Sequence, residues 1–374
     1  MKKYFRRKSF LFALISGAAC FVFFGLSSFW KVPNLEYLAQ STTAEQNGAN
    51  QASNIDSHPL HIKTPDSVRG IYMSSWVAST HDWRNELVDL VDSTELNSIV
   101  IDVKDYTGVI SFEKRVPDMK EFLDYLHSKN IYAIARIAVF QDQYLTKERP
   151  DLAVKRGDGV TVWRDYKKIA WLDPCSKEVW DYTVKIGKEA EKVGFDELNF
   201  DYIRFPSDGN MKDISYNFCD KNISKSDGLE NFFKYLSENL KDSKIPLSAD
   251  LFGMVTTNTD DLNIGQVLEK AAPYFAYICP MVYPSHYPST YDGYKNPADH
   301  PYEIIKLAMD TASQRLIAAT STPSKLRPWL QDFDLGADYT AEMIRKEKQA
   351  VYDAGLSSWL LWDPSNKYTR QALD

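Results

Sequence analysis

Two aspartates in this chain are placed to do chemistry together. In NFDYIRFP, Asp201 closes a run in which Glu197, Asn199 and Asp201 fall on one side of an extended chain, with Leu198, Phe200 and Tyr202 on the other. In SADLFG, Ser248, Asp250 and Phe252 alternate in the same way with Leu247, Ala249 and Leu251. Strand side chains point alternately to opposite faces, so packing the apolar set against helices turns both acidic sets inward. Two carboxyl groups at neighbouring strand ends suit glycosidic cleavage. One acid protonates the leaving oxygen, and one carboxylate acts as nucleophile or as base for a water. Taken singly, each aspartate also reads as a structural carboxylate paired with Lys104, Arg136 or Arg204; their clustering favours chemistry.

The same alternation sends Asp102, Lys104, Arg136, Tyr283 and Gln331 toward that interior. A barrel that serves only as scaffold fills its centre with branched apolar side chains, because each unpaired buried polar group costs on the order of 1–3 kcal/mol. So many inward polar groups predict a wet mouth, with Asp102 and Arg136 orienting the acidic pair. Glu197 lies four residues before Asp201, about 13 Å deeper. That depth gives it a structural reading beside its candidacy as a substrate contact. Arg204, Trp329 and Trp362 complete the candidate substrate-binding set. Trp76, Trp163, Trp171, Tyr287, Tyr291 and Tyr294 add rings on the predicted mouth side, where aromatic faces stack on sugars.

These residues need a scaffold of parallel strands. β-rich runs begin at VRGIYMSSW (68–76), SIVIDVKD (98–105), IYAIARIAVF (131–140), DELNFDYIRFP (196–206), PLSADLFG (246–253), YICPMVY (277–283), LRPWLQ (326–331) and SSWLLWD (357–363). Stretches of helical period separate them, among them 82–96, 118–129 and 176–193. About eight such units in some 300 residues predict a single (β/α)8 TIM barrel over residues 67–374, with its last helix short or missing. An open doubly wound sheet is the alternative, but no glycine-rich phosphate turn follows the first strand. Neither GxxxxGK[ST] nor GxSxG occurs.

The N-terminus reads as an address. Lys2, Lys3, Arg6, Arg7 and Lys8 (tail 1–8) precede an uncharged stretch, residues 9–30, that as a helix spans roughly 33 Å. This predicts a transmembrane signal-anchor with the rest of the chain extracytoplasmic; a cleaved signal peptide, giving a secreted protein, is the rival. Residues 31–66, rich in Ser, Thr, Asn, Gln and Ala, read as a flexible linker. Cys20 lies in the span, and Cys175, Cys219 and Cys279 are far apart, so individual thiols are expected. No His/Cys spacing suits zinc, and no metal or organic cofactor is expected. The 44 basic and 51 acidic residues are spread without long single-sign runs, which argues against nucleic acid as a partner.

Together VRGIYMSSW, IDVKDYTGVI, WLDP, NFDYIRFP, SADLFG, PMVYPSHY, LRPWLQDF and WLLWDPSN resemble the bacterial family described as a putative glycosyl hydrolase domain, formerly a domain of unknown function. The resemblance runs from about Ser67 to Tyr368. It implies a TIM barrel distantly similar to α-amylase-like barrels, whose nucleophile is an Asp ending strand four, matching Asp201; their acid on strand five is usually Glu, where this chain has Asp250. The expected activity is endo-hydrolysis of a cell-wall or extracellular polysaccharide. A non-catalytic carbohydrate-binding barrel at the cell surface and a docking body of an envelope assembly are the other two readings.

Overall fold

The computed structural model describes residues 61–374. The expected basic tail, transmembrane span and most of the linker fall on residues 1–60, outside the described residues. Among the described residues no helix is long and apolar enough to cross a membrane.

Eight strands close into a barrel in sequence order: β1 (Arg69–Met73), β2 (Ser98–Lys104), β3 (Tyr132–Ala138), β4 (Glu197–Asp201), β5 (Leu247–Phe252), β6 (Tyr277–Met281), β7 (Trp329–Gln331) and β8 (Trp359–Trp362). Every pairing is parallel, and β8 returns to β1. Long helices follow β1, β2, β3, β4, β6 and β7, whereas β5 and β8 are followed only by short turns, Leu268–Ala271 and Arg370–Ala372.

Two apolar layers hold this arrangement. Outward residues such as Leu198, Phe200, Ala249 and Leu251 pack under the helices, while Tyr72, Val100, Tyr132, Ile134, Cys279, Trp329 and Leu360 fill the inside of the barrel. The helix Lys177–Val193 shows how the outer layer is set. Val179, Thr183, Ile186, Gly187 and Ala190 form its buried stripe. Gly187 allows close approach to β4, because an added Cβ there would sit 3.1 Å from Leu198 Cδ1. Gly194, at φ 122°, stops the helix, its amide bonding back to Ala190 and Glu191.

Three expectations are corrected. Lys104 does not face the interior, because a bulge between Asp102 and Lys104 shifts the β2–β3 register and sets Lys104 level with Ile137, an outer-layer residue. Cys175 and Cys219 are not separate thiols; they form a disulfide across 44 residues of sequence, and Cys279 alone of the described cysteines is free. Sequence distance misled here, because the mouth loops after β3 and β4 fold against each other. Residues 61–66 are not a free tether. They lie across the base of the barrel, with the Ile62 amide on Asp196 at 2.9 Å and Thr64 Oγ1 2.9 Å from the Tyr132 hydroxyl.

A cross-link closing a loop of this length is worth about 4 kcal/mol in the chain-entropy account. The double substitution C175S/C219S is expected to lower unfolding free energy by about 2–4 kcal/mol, read from the urea midpoint of the oxidised protein against that of the variant.

Candidate active site

Arg136, midway along β3, organises the mouth. Its register partners are Asp102 on β2 and Asn199 on β4, which places its guanidinium between acids from both sides. Nη1 donates to Asp102 Oδ1 at 2.6 Å, Nε donates to Asp201 Oδ2 at 3.1 Å, and Nη2 donates to that same oxygen. Asp102 is held from behind by the Tyr72 hydroxyl at 2.5 Å. The Arg136 guanidinium also lies near the rings of Tyr72 and Trp362, at 5.6 and 5.1 Å, and these two rings stack at 4.0 Å. A buried charge of this kind is stable only when paired and fully hydrogen-bonded.

Asp250 stands apart from that pairing. Its Oδ1 accepts from Asn199 Nδ2 at 2.9 Å and from Trp329 Nε1 at 2.8 Å, while Oδ2 lies 4.0 Å from Arg136 Nε. Burial, and next the neighbouring Asp201 charge, push the Asp250 carboxyl well above the ordinary aspartate range, against the pull of Arg136 and the two donors. Asp102 is also raised by burial, with Arg136 opposing. Since Arg136 Nε is within 3.1 Å of Asp201 Oδ2 and 4.0 Å of Asp250 Oδ2, those oxygens are no more than about 7 Å apart.

Both aspartates line one cavity of about 210 Å³. Arg136, Tyr283, Trp329 and Trp362 line it too, with Phe252, Met254, Met281, His286 and Tyr287 on the β5–β6 side. Burial, and then Lys167, lowers His286 to about 4, so its ring is neutral at ordinary pH. The opposite wall comes from two long loops. Residues between β3 and the helix Lys177–Val193 supply Gln141, Asp165 and Lys167, and the segment after β4 supplies Tyr202, Arg204 and Asp208. Tyr202 adopts φ 51°, ending β4 with its amide turned onto Asp201 Oδ1 at 2.5 Å. A non-glycine residue in this left-handed region is strained, and strain of this kind gathers at functional sites.

Of the residues singled out in the sequence, Arg136, Asp201, Arg204, Asp250, Tyr283, Tyr287, Trp329 and Trp362 meet at the cavity, and Asp102 stands directly behind Arg136. Lys104 and Glu197 do not reach it, correcting their candidacy as substrate contacts. Lys104 is buried on Asp142 at 2.9 Å. Glu197 lies deep in the barrel, receiving Arg327 Nη1 at 2.8 and 3.0 Å, Ser248 Oγ at 2.6 Å and the Tyr132 hydroxyl at 3.1 Å. Gln331 is likewise turned to backbone, accepting from the Ser285 amide and donating to Phe333 O.

The expected aromatic platforms divide. Trp163 and Trp171 are buried struts of the loop wall, their indole N–H groups bonded to Asn210 O and Asp165 Oδ2. Trp76 is 63% exposed, its ring faced by Arg115 at 4.1 Å. Tyr291 is tied to Thr257 and Tyr294 to His300, away from the cavity lining. Sequence reading missed Tyr72, although its alternation with outward Ile71 and Met73 in β1 points it inward. It also missed Asp165, Lys167, Asp208 and His286, which sit on irregular loops where alternation gives no signal. The one grouping of metal-ligand-type side chains among the described residues, Asp173 with Cys175 and Cys219, has both thiols in the disulfide.

The profile of the family described as "Putative glycosyl hydrolase domain" matches residues 70–368. No curated protein matches. Among solved structures, a hypothetical protein from Ruminiclostridium thermocellum ATCC 27405 is 32% identical over 52% of this chain and 98% of its own, with a TM-score of 0.43. The PgaB glycoside hydrolase domain from Bordetella bronchiseptica is 11% identical, with a TM-score of 0.57 over 82% of this chain and 99% of its own. A class V chitinase from Pseudomonas fluorescens Pf-5 is also 11% identical, with a TM-score of 0.50 over 82% of this chain and 98% of its own. At such identities the last two likenesses establish the barrel fold and nothing finer.

The Glu197–Arg327 pair gives a stability test. Glu197→Gln leaves the Arg327 charge buried without a counter-charge and is expected to cost about 3–5 kcal/mol in urea unfolding. A loss below about 1 kcal/mol would contradict a structural ion pair there.

Proposed function

Because the chain belongs to the family described as "Putative glycosyl hydrolase domain", we propose that it cleaves glycosidic bonds in a cell-wall or extracellular polysaccharide, with Asp201 and Asp250 as the working pair. The observation that carries this reading is that the two carboxyl groups sit on adjacent strand ends, open to one cavity, in unlike surroundings. Asp201 is paired with a guanidinium, whereas Asp250 is pushed by burial toward its protonated form. Environments that drive two acids apart in this way assign the roles of acid and carboxylate.

In this mechanism Asp250 gives its proton to the glycosidic oxygen as the bond from the anomeric carbon to that oxygen breaks. Asp201 either bonds to the anomeric carbon from the other face or takes a proton from the water that does so. Asp250 becomes an anion in this step. The Asn199 and Trp329 N–H groups already aimed at Oδ1 stabilise the growing charge without reorganising. Arg136 and Asp102 keep the Asp201 carboxylate in place throughout. Trp362 and Trp329, set edge to face at 5.5 Å, offer apolar surface to a sugar ring, and Tyr283, whose ring packs on His286 and Phe333, offers a hydroxyl.

An extracytoplasmic setting, with residues 9–30 as membrane anchor and 31–60 as tether, fits this substrate. The Cys175–Cys219 bond supports it, because such bonds persist in oxidising compartments. The second reading is a carbohydrate-binding barrel without turnover. It is favoured by Asp201 having both oxygens engaged, Oδ2 by Arg136 and Oδ1 by the Tyr202 amide.

Product analysis by mass, after incubation with bacterial exopolysaccharides and wall glycans, separates the two. Asp201→Asn and Asp250→Asn are each expected to lower turnover by about a hundred- to ten-thousand-fold. Retained turnover in Asp201→Asn contradicts the assignment. Since the protonated Asp250 is the active form and its pKa is raised, activity should fall as pH rises through that raised value. A kcat–pH profile of the wild-type protein lacking this alkaline limb would remove Asp250 from the role of acid.

A further inference from the structure

The loop wall opposite the β5–β6 side of the cavity carries two cations that the catalytic arrangement leaves unused. Arg204 lines the cavity, and its guanidinium lies 5.0 Å from the Trp171 ring and 5.5 Å from the Tyr202 ring. Nη1 donates to Phe205 O and to Ser207 Oγ, both at 3.1 Å. No carboxylate among the described residues lies within salt-bridge distance of Arg204, and none pairs with Lys167, which lines the same cavity. Arg136, by contrast, is ion-paired with Asp102 and Asp201.

Neither of the two acids on this wall forms a salt bridge with these cations, although both cations act on Asp208. Asp165 Oδ1 accepts from the Ile169 amide at 2.9 Å and Oδ2 from the Trp171 indole at 3.1 Å, so it braces the loop. Asp208 is raised by burial and next by Asp165, against the weaker pull of Arg204 and Lys167. The wall is built to hold its shape. Gly209 packs so tightly that an added Cβ would lie 2.5 Å from the Trp163 ring, Trp163 bonds to Asn210 O, and the disulfide ties the two loops together. An oriented guanidinium with unspent donors, set beside aromatic rings in a cavity, is suited to receive a carboxylate.

We propose that Arg204 and Lys167 form a subsite for an acidic sugar residue, a uronic acid or another carboxylate-bearing unit, next to the scissile bond. This deepens the glycosidase reading and rests on it for the ligand being a sugar. A planar carboxylate would take the free edge of Arg204 with Lys167 adding charge, and the aromatic floor would take the ring. Specificity would then lie for acidic over neutral polysaccharides.

Calorimetric titration of the full-length chain with glucuronate, glucose and glucosamine tests this. Glucuronate should bind at least about tenfold more tightly than glucose, a preference that shrinks as salt is added. R204Q/K167Q should lose the preference, its affinity for glucuronate falling by more than its affinity for glucose, and R204K should keep part of it. Equal binding of glucuronate and glucose, tighter binding of glucosamine, no binding of glucuronate, or a preference that survives R204Q/K167Q overturns the subsite. The salt series and R204K decide the matter if R204Q/K167Q does not fold. The same titrations on Asp201→Asn keep the two readings distinct. Glucuronate preference without hydrolysis of any polymer counts against the glycosidase reading alone, and hydrolysis without preference counts against the subsite alone.

Discussion

A guanidinium buried in the throat of the barrel cannot stay there without counter-charge, since desolvating an ion costs several kcal/mol even after relaxation. Arg136 meets this constraint by drawing Asp102 and Asp201 onto itself from the strands on either side. The consequence falls on the third acid. Asp250 is 1% exposed and close to the Asp201 charge, yet only at the edge of Arg136's reach, so its neutral form is favoured. One cation shared unequally among three carboxyl groups thus leaves Asp201 paired with a guanidinium and the Asp250 carboxyl raised beside it. The barrel's geometry imposes this, because Asp102 and Asn199 stand level with Arg136 in the strand register and Asp250 belongs to a strand beyond.

The remainder of the molecule protects that inequality. Below the acidic layer, Val100, Tyr132, Ile134 and Leu360 pack the barrel, and the Glu197–Arg327 pair satisfies the one deep carboxylate on β4. Residues 61–66 cross the base, with Ile62 bonded to Asp196 and Thr64 to Tyr132. Above it, the loops after β3 and β4 build a wall braced by the Trp163 and Trp171 indoles and the disulfide. Rigid loops on a rigid scaffold are what hold reacting groups to the fraction of an ångström that catalysis requires.

How much of this the sequence reveals depends on whether a residue lies on a regular element. The strands were legible because outward Leu198 and Phe200, or Ala249 and Leu251, alternate with inward polar residues, and period-two alternation fixes facing without knowledge of neighbours. The inward placement of Arg136, Asp201 and Asp250 follows from it directly. Lys104 shows the limit: one bulge reverses the facing of everything after it, and nothing in SIVIDVKD marks where the extra residue falls. The disulfide and the wall residues Asp165, Lys167 and Asp208 were out of reach for another reason. Loop side chains are positioned by contacts between distant segments, here the stretches 141–176 and 202–224, and such contacts leave no local pattern. Glu197 is intermediate, its direction read correctly and its depth separating it from the cavity.

The central claim is that Asp250 keeps its proton where its neighbour Asp201 serves as the carboxylate. Carbon NMR of protein labelled at the aspartate side-chain carboxyl, followed across pH, reads this without any substrate. The account predicts one resonance, absent in Asp250→Asn, that remains in its protonated position well above the ordinary midpoint of about 3.9. If the Asp250 resonance instead ionises at or below that midpoint, the cavity holds no neutral acid and the proposed division of roles fails.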